Sequence, residues 1–144
     1  MRREWLNRCL LLSLAALPLT GCGWVSRPSV SGVWKGSIES SDKRGHKWNG
    51  PAELTLNQNG AAITGTLAFT HPQAGRIQVP ISSGIVSEGA VTFSGQNQLP
   101  MGAIELTFHG KASKYELAGT VEITLRAMLL GAETNPGLLR VQKE

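Results

Sequence analysis

From Gly32 onward, apolar and polar residues alternate along the chain with a period of two. In the run from Ala52 to Asn57, every second residue is apolar. Successive side chains of a strand point to opposite faces, so this pattern predicts antiparallel strands with one buried and one solvated face. The same pattern recurs in Ile63, Leu67 and Phe69 with Gly65; in Ile77, Val79 and Ile81; in Val91 and Phe93; in Ile104, Leu106 and Phe108; and in Tyr115, Leu117, Val121 and Ile123.

Turn-forming residues separate these runs. The segment 57–60 ends in Asn59-Gly60, and Asn-Gly is the strongest short hairpin signal. The chain from Leu125 to Leu130 fits either a helical turn or a continuation of its strand. Pro80 favours a strand edge, a strand end or a bulge. Further turns are predicted at His71-Pro72-Gln73-Ala74-Gly75, at Ser87-Glu88-Gly89, at Gly110-Lys111-Ala112-Ser113-Lys114, and at Asn135-Pro136-Gly137 before a last strand from Leu138 to Gln142.

About eight short strands in sequence form an antiparallel up-and-down meander. A meander of this length leaves two exposed edges, and closing the sheet removes them. We therefore predict an all-β, barrel-shaped domain over residues 32–144. There is also a faint internal repeat, because residues 52–56 resemble 104–108 and residues 64–67 resemble 118–121. Glycines that would let strands coil at the corners of the barrel are Gly36, Gly65, Gly95 and Gly119.

The first 21 residues have the order of an export signal. Arg2, Arg3 and Arg8 precede an apolar segment from Cys9 to Leu19, and small residues follow it. The apolar segment is too short to span a bilayer as a stable helix. This arrangement predicts a signal peptide over residues 1–21.

The sequence Leu19-Thr20-Gly21-Cys22 resembles the lipobox of bacterial lipoproteins. The resemblance implies that the chain is cut before Cys22, that its sulfur is diacylated, and that the new N-terminus is acylated. Two or more acyl chains anchor a protein stably. Gly23, in place of Asp, implies transfer to the outer membrane, facing the periplasm or the cell surface. Residues 22–31 would then form a lipid-anchored tether; the alternative is an ordinary secretory signal with a chance cysteine.

Removal of residues 1–21 changes the charge balance. They hold three of the 14 basic and one of the 10 acidic residues, so 11 basic and 9 acidic residues remain, a net charge of +2. No basic stripe is left that would indicate a nucleic-acid partner. With Cys9 removed and Cys22 lipidated, no disulfide is expected, and stability must come from packing.

Gly32-Val33-Trp34 resembles the G-x-W motif that opens the first strand of lipocalins and related calycins. The resemblance implies that Gly32 permits a tight entry and that Trp34 plugs the closed end of the barrel. In that family a late arginine packs across the tryptophan, and Arg126 and Arg140 are the candidates here. The alternation, however, places each of them on the face of its segment opposite the apolar one. The second lipocalin motif, Thr-Asp-x-Tyr, is missing. Avidins also begin with G-x-W, but their biotin-binding residues have no counterpart here.

The sequence carries no clear catalytic or metal-binding pattern. His46, His71 and His109 have no metal-ligand spacing with one another or with other ligand residues. Glu53 and Glu105 occupy equivalent hairpin positions, but the alternation points both to solvent, so they do not form an acid–base pair. No nucleophile elbow or phosphate loop occurs. We therefore expect no enzymatic activity, no cofactor and no metal.

Two regions could form binding surfaces. The segment from Ser40 to Gly50 is basic and carries Trp48, which could contact lipid headgroups, glycan or an acidic protein, or fold over the barrel rim. Leu99-Pro100-Met101 and Met128-Leu129-Leu130 are apolar loop tips, which could cap an open mouth, touch a membrane or grip a hydrophobic ligand.

Two functions remain open. In the first, the barrel is a non-catalytic binding module whose interior takes a small hydrophobic ligand. In the second, the barrel is filled and an envelope lipoprotein works through its loops, as an inhibitor or partner of another protein. Interior volume distinguishes them, since eight-stranded barrels either fill with side chains or hold one ligand. The expected ligand contacts are Trp48, Leu54, Ile63, Val79, Phe93, Leu106 and Leu117.

Overall fold

A computed structural model of the protein describes residues 29–100, 102–129 and 131–144. The expected signal peptide (residues 1–21), the expected lipidation site at Cys22 and residues 22–28 of the expected tether lie outside the described residues. Within the described part of the chain there is no helix of the length and apolar character needed to cross a membrane.

Eight antiparallel strands form one closed barrel, in which each strand pairs with its neighbours in sequence. The last strand pairs with the first over Trp34↔Lys143 to Ser40↔Gly137, and this pairing closes the ring. The predicted all-β, up-and-down meander barrel is therefore confirmed. The strands are β1 (Gly32–Ser41), β2 (Lys47–Asn59), β3 (Ala62–His71), β4 (Gly75–Ser87), β5 (Ala90–Leu99), β6 (Gly102–Ala112), β7 (Glu116–Ala127) and β8 (Gly131–Lys143).

The alternating apolar side chains point inward and form one core. Phe93 and Phe108 are register partners on β5 and β6, and their rings stack with centroids 4.8 Å apart. Burying one such large apolar side chain stabilises the fold by about 1.5–3 kcal/mol. Tyr115 is the exception among the predicted inward residues. It is 65% exposed, because the β6–β7 turn is still in progress there and β7 begins only at Glu116.

β4 changes phase at a bulge just after Pro80. Between Ile81 and Ser83, β4 advances two residues while β5 advances one. An extra residue in one strand moves all later side chains to the opposite face. Ile81 is therefore buried, whereas Ile85 is 59% exposed on the outer wall. Because a closed barrel has no edge strand, Pro80 cannot lie at a strand edge. It lies in β4 next to the bulge, which is another of its predicted positions.

The C-terminal region corrects one prediction and decides one open choice. The predicted turn at Asn135-Pro136-Gly137 is wrong, because these residues lie inside β8 and pair with β7. Pairing of β8 with β1 extends only as far as Gly137, so a missing N–H at Pro136 breaks no ladder on that side. From Leu125 the chain continues β7 as a strand to Ala127, and the turn comes after it.

Trp34 closes one end of the barrel. Its side chain is fully buried, and its indole Nε1–H donates a 2.9 Å hydrogen bond to the carbonyl of Val30. Lys143 Nζ lies 5.4 Å from the centroid of the Trp34 ring and donates a 3.1 Å hydrogen bond to the carbonyl of Ser29. The segment before β1 is thus tied across the plugged end.

The cation beside Trp34 is Lys143, and neither suggested arginine takes that place. Leu139 and Val141 of β8 point into the barrel, so residue 143 falls on the same face and Arg140 on the opposite one. The Arg140 side chain pairs with Glu116 at 3.2 Å on the outer wall. Arg126 pairs there with Glu105 at 3.3 Å.

Gly36 and Gly95 occupy corresponding positions of close backbone approach in the two halves of the barrel, β1–β4 and β5–β8. A Cβ atom on Gly36 of β1 would overlap the backbone carbonyl of Arg140, and one on Gly95 of β5 would overlap that of Pro80. In each case a buried aromatic residue stands two positions earlier. The resemblance between residues 52–56 and 104–108 also falls on strands four apart, β2 and β6.

Candidate functional site

The strand connections give the barrel two different ends. The Trp34 plug, the described N-terminal residues and the C-terminus share one end with the β2–β3, β4–β5 and β6–β7 turns, and we call it the closed end. The β1–β2, β3–β4, β5–β6 and β7–β8 connections lie at the opposite end, which we call the mouth.

A cavity of about 630 Å³ opens at the mouth. Its floor is apolar, because it is lined by the buried side chains of Phe69, Ile77, Ile104 and Ile123, each at most 6% exposed. Small-molecule sites typically occupy about 300–1,000 Å³ and combine an apolar lining with a few polar groups. The polar residues around the opening are Ser40, Asp42, His46, Lys47, His71, Gln73, Glu133 and Asn135.

Trp48 forms one wall of this cavity. It lies at the start of β2 and packs, partly buried, against the core. Its ring stacks on Phe69 with centroids 6.0 Å apart and meets His71 edge-on at 4.6 Å. Of the two predicted placements, Trp48 therefore adopts the one over the barrel rim. An aromatic wall offers a ligand apolar area together with a polar indole edge.

His71 is held neutral beside Trp48. Its Nδ1 accepts hydrogen bonds from the backbone N–H groups of Gln73 and Ala74, at 3.0 and 3.2 Å. A proton on Nδ1 would displace both, so the tautomer that fits carries its proton on Nε2. Partial burial lowers the pKa of His71 below its ordinary value. At neutral pH the ring therefore offers the cavity a neutral N–H donor.

The β1–β2 connection is organised by Asp42. Its Oδ1 accepts 2.8 Å hydrogen bonds from the backbone N–H groups of Arg44 and His46. The second oxygen, Oδ2, lies 3.1 Å from His46 Nδ1. These contacts, the backbone N–H of His46 first among them, hold the pKa of Asp42 below its ordinary value. The carboxylate is thus engaged within its own loop, while Lys43 and Arg44 remain exposed.

The structure separates the expected ligand contacts into two groups. Trp48 lines the mouth cavity. The other six pack in the core below the cavity, each at most 1% exposed, with Ile63 and Leu117 near the closed end, and none of them lines the mouth cavity. They are Leu54, Ile63, Val79, Phe93, Leu106 and Leu117.

Sequence reasoning missed the residues that form the cavity floor. Alternation assigned Phe69, Ile77, Ile104 and Ile123 to the inner face but did not say how deep along the barrel each one lies. Depth depends on the stagger of neighbouring strands, which only the three-dimensional register shows. Distance from the mouth-end loops was a usable signal. Phe69 lies two residues before the end of β3, and Ile77 lies two residues after the start of β4.

A second depression, of about 510 Å³, lies at the closed end. Its lining is mostly small or polar turn residues, among them Gly60, Gly89 and Ser113. Its lining includes one buried aliphatic residue, Val30, and no aromatic side chain. The mouth is therefore the better candidate site.

Within the part of the chain that the structure describes, no three His, Cys, Asp or Glu side chains come together as a set of metal ligands. His46 and His71 line the mouth cavity. His109 is on the outer wall, where its Nδ1 lies 3.5 Å from Thr92 Oγ1.

Comparison with protein-family models finds no match for this chain, and comparison with curated proteins finds none either. The functional assignment therefore depends on the fold, on the mouth and on the sequence features described above.

Proposed function

We propose that this protein is a lipid-anchored bacterial envelope lipoprotein whose barrel binds a small hydrophobic or amphipathic ligand at its mouth, without catalysis. The binding part of the proposal is carried by one observation, the cavity of about 630 Å³ with a buried apolar floor and a polar rim. The anchoring part is supported by the lipobox-like sequence that ends at Cys22.

The two zones of the cavity define the ligand class. The floor of Phe69, Ile104 and Ile123 suits a short aliphatic or aromatic group, which would lose contact with water on entry. The rim offers donors from the neutral His71 and from Lys47, and acceptors from Glu133. A ligand with one apolar group and one polar head that accepts hydrogen bonds fits both zones.

The anchor and the mouth belong to opposite ends. Ser29, the first described residue, lies at the closed end and accepts the hydrogen bond of Lys143. Cys22 precedes it by seven residues, which span at most about 25 Å when fully extended. An acylated Cys22 would therefore tether the barrel to its bilayer through the closed end.

The packed middle of the barrel favours a second function. Stacked Phe93 and Phe108 fill the layer that a deep ligand would need. In this alternative the mouth is only a surface depression, and the loops contact another envelope protein that this lipoprotein inhibits or supports.

Native mass spectrometry of the protein purified from membranes tests the proposal. We expect the mass of an acylated chain beginning at Cys22 and, in addition, a noncovalent species with one bound ligand. A fluorescent fatty-acid probe should bind and should be displaced by the co-purified ligand. An unmodified chain would overturn the anchoring part, whereas a ligand-free protein that ignores the probe would favour the loop-based alternative.

A matched pair of variants tests whether the probe binds in the mouth cavity. Leu125 is 37% exposed and lines the cavity, so Leu125→Trp should fill the mouth and weaken probe binding at least about tenfold by occupying its volume. Leu138 is 51% exposed on the outer wall, and Leu138→Trp should leave binding unchanged. Equal binding by both variants would show that the probe lies elsewhere.

A further inference from the structure

The rim of the mouth has an apolar half and a basic half. Because β6 pairs with β7, the β5–β6 and β7–β8 connections are neighbours, and the β1–β2 and β3–β4 connections are neighbours in the same way. The sequence of the first two, residues 99–102 and 127–131, contains no charged residue. The sequence of the other two, residues 41–47 and 71–75, contains three Lys or Arg residues, Lys43, Arg44 and Lys47.

The apolar half exposes large side chains at its tip. Met128 is 84% exposed and Leu129 is 95% exposed, the two highest values among the large apolar residues of the described chain. Pro100 is also exposed on the adjacent hairpin. Neither Met128 nor Leu129 folds back over the cavity, so capping of the mouth does not explain them. Exposed apolar groups that are clustered in this way mark a surface that another phase or molecule covers.

The basic half keeps its positive charge available. Lys43, Arg44 and Lys47 are all exposed. Asp42 is the acidic residue of these two connections, and its Oδ1 accepts hydrogen bonds from the backbone N–H groups of Arg44 and His46. Exposed Lys and Arg side chains near an anionic lipid surface strengthen binding to it.

We propose that the mouth docks on an anionic lipid surface. Met128 and Leu129 enter the boundary between headgroups and acyl chains, while Lys43, Arg44 and Lys47 lie against anionic headgroups. This combination of inserted apolar residues and surrounding basic residues is the pattern of interfacial membrane binding.

The shape of the rim favours lipid over a protein partner. Its apolar residues stand at the tip of a hairpin, where they can penetrate a fluid layer but offer no broad area for a complementary protein surface. The basic side chains are long and exposed, which suits a diffuse negative charge better than a few fixed carboxylates. Docking in this orientation would also place the opening of the cavity directly against the lipid surface.

Vesicle flotation tests this inference without the acyl anchor. The chain from residue 22 with Cys22→Ser contains all eight strands and the whole described core. It should bind vesicles of phosphatidylcholine with phosphatidylglycerol, and it should bind pure phosphatidylcholine at least about tenfold more weakly. The double variants Met128→Asp/Leu129→Asp and Lys43→Glu/Arg44→Glu should each reduce binding to anionic vesicles at least about tenfold.

The closed end supplies matched controls. Tyr115 is 65% exposed in the β6–β7 turn and has Lys114 beside it, with Nζ 5.3 Å from the ring centroid. Tyr115→Asp and Lys114→Glu repeat the same changes of chemistry at the opposite end, and neither should alter vesicle binding. Far-ultraviolet circular dichroism of every variant checks that the barrel is intact.

Three results would overturn the inference: equal binding to neutral and anionic vesicles, no effect of the mouth variants, or an equal effect of the closed-end variants. Analytical ultracentrifugation adds a fourth, since a dimer that Met128→Asp/Leu129→Asp dissociates would assign the apolar tip to self-association. Ligand binding is measured separately with Leu125→Trp, so the failure of one proposal is distinguishable from the failure of the other.

Discussion

Trp34 and Lys143 are direct register partners at the closed end of the barrel, and the lysine ammonium lies over the indole ring. The same ammonium is hydrogen-bonded to the carbonyl of Ser29. One lysine therefore joins three parts of the chain: the segment before β1, the start of β1 and the end of β8. The G-x-W motif led us to expect a late arginine across the tryptophan, and the cation found there is Lys143, three residues after Arg140.

The Lys143 contact should contribute measurably to stability. We expect Lys143→Gln to lower the free energy of unfolding by about 0.5–2 kcal/mol, because it removes a cation–π contact and a charge-assisted hydrogen bond. Lys143→Arg should retain most of that stability. Urea unfolding of the two variants measures the difference. Lys111→Gln, an exposed site on the outer wall, serves as the control, and an equal loss there would contradict the assignment.

Substitution of Trp34 should affect stability, whereas substitution of Trp48 should affect ligand binding. Trp34→Phe removes the indole donor and leaves the carbonyl of Val30 without its partner, so it should destabilise the barrel by about 1–3 kcal/mol and leave probe affinity unchanged. Trp48→Ala should weaken probe binding, because the cavity loses one wall. Thermal unfolding and probe titration of both variants separate the two roles. Loss of probe binding in Trp34→Phe would show that the plug also contacts the ligand.

Gly36 and Gly95 should be equally intolerant of a side chain. A methyl group on Gly36 would overlap the backbone of β8, and one on Gly95 would overlap the backbone of β4. Overpacking of this kind costs about 1–3 kcal/mol. We expect Gly36→Ala and Gly95→Ala to lower the midpoint of urea unfolding by similar amounts. Ser37→Ala, at an exposed site of the same strand, is the control. Very different losses at the two glycines would argue against the correspondence of the two halves.

Alternation predicted the barrel because inward apolar and outward polar residues alternate along most of the strands. The rule failed where local geometry changed its phase. The bulge after Pro80 turned Ile85 outward, and a single sequence does not show where a strand will accept an extra residue. The predicted turn at Asn135-Pro136-Gly137 was wrong because Pro136 lies where β8 has only one neighbour, a fact of strand stagger.

The candidate site was predictable only in part. Trp48 stood out as an aromatic residue among basic ones, and it does line the mouth cavity. Leu54 and Phe93 belong to the inner face as expected, yet they lie in the packed layer below the cavity. Composition identifies the inner face, whereas the depth of each residue follows from the register of the strands around the ring.

His71 gives stability a pH dependence. Its pKa in the folded protein is lower than 6.5, so the unfolded chain takes up a proton first as the pH falls. The stability that depends on neutral His71 is complete above pH 6.5 and is lost as the pH falls from 6.5 through the lowered pKa. His71→Asn keeps an acceptor for the Gln73 and Ala74 N–H groups but does not titrate. We therefore expect the melting temperature of the native protein to fall more steeply below pH 6.5 than that of this variant.

The effect of His71 on the melting temperature is separable from the titration of Asp42. The pKa of that carboxyl lies below 3.8, so its contribution is lost only at much lower pH. Parallel melting curves for the native protein and His71→Asn between pH 6.5 and about pH 5 would contradict the assignment.

The most direct test of the binding site is a methyl nuclear magnetic resonance titration of the chain from residue 22 with a single-chain fatty acid. We predict saturable shifts for the methyl groups of Ile77, Ile104 and Ile123, which form the cavity floor, and little change at Leu56 and Val141, which pack toward the closed end. Shifts confined to the closed end, or no saturable shift at all, would contradict a ligand-binding mouth.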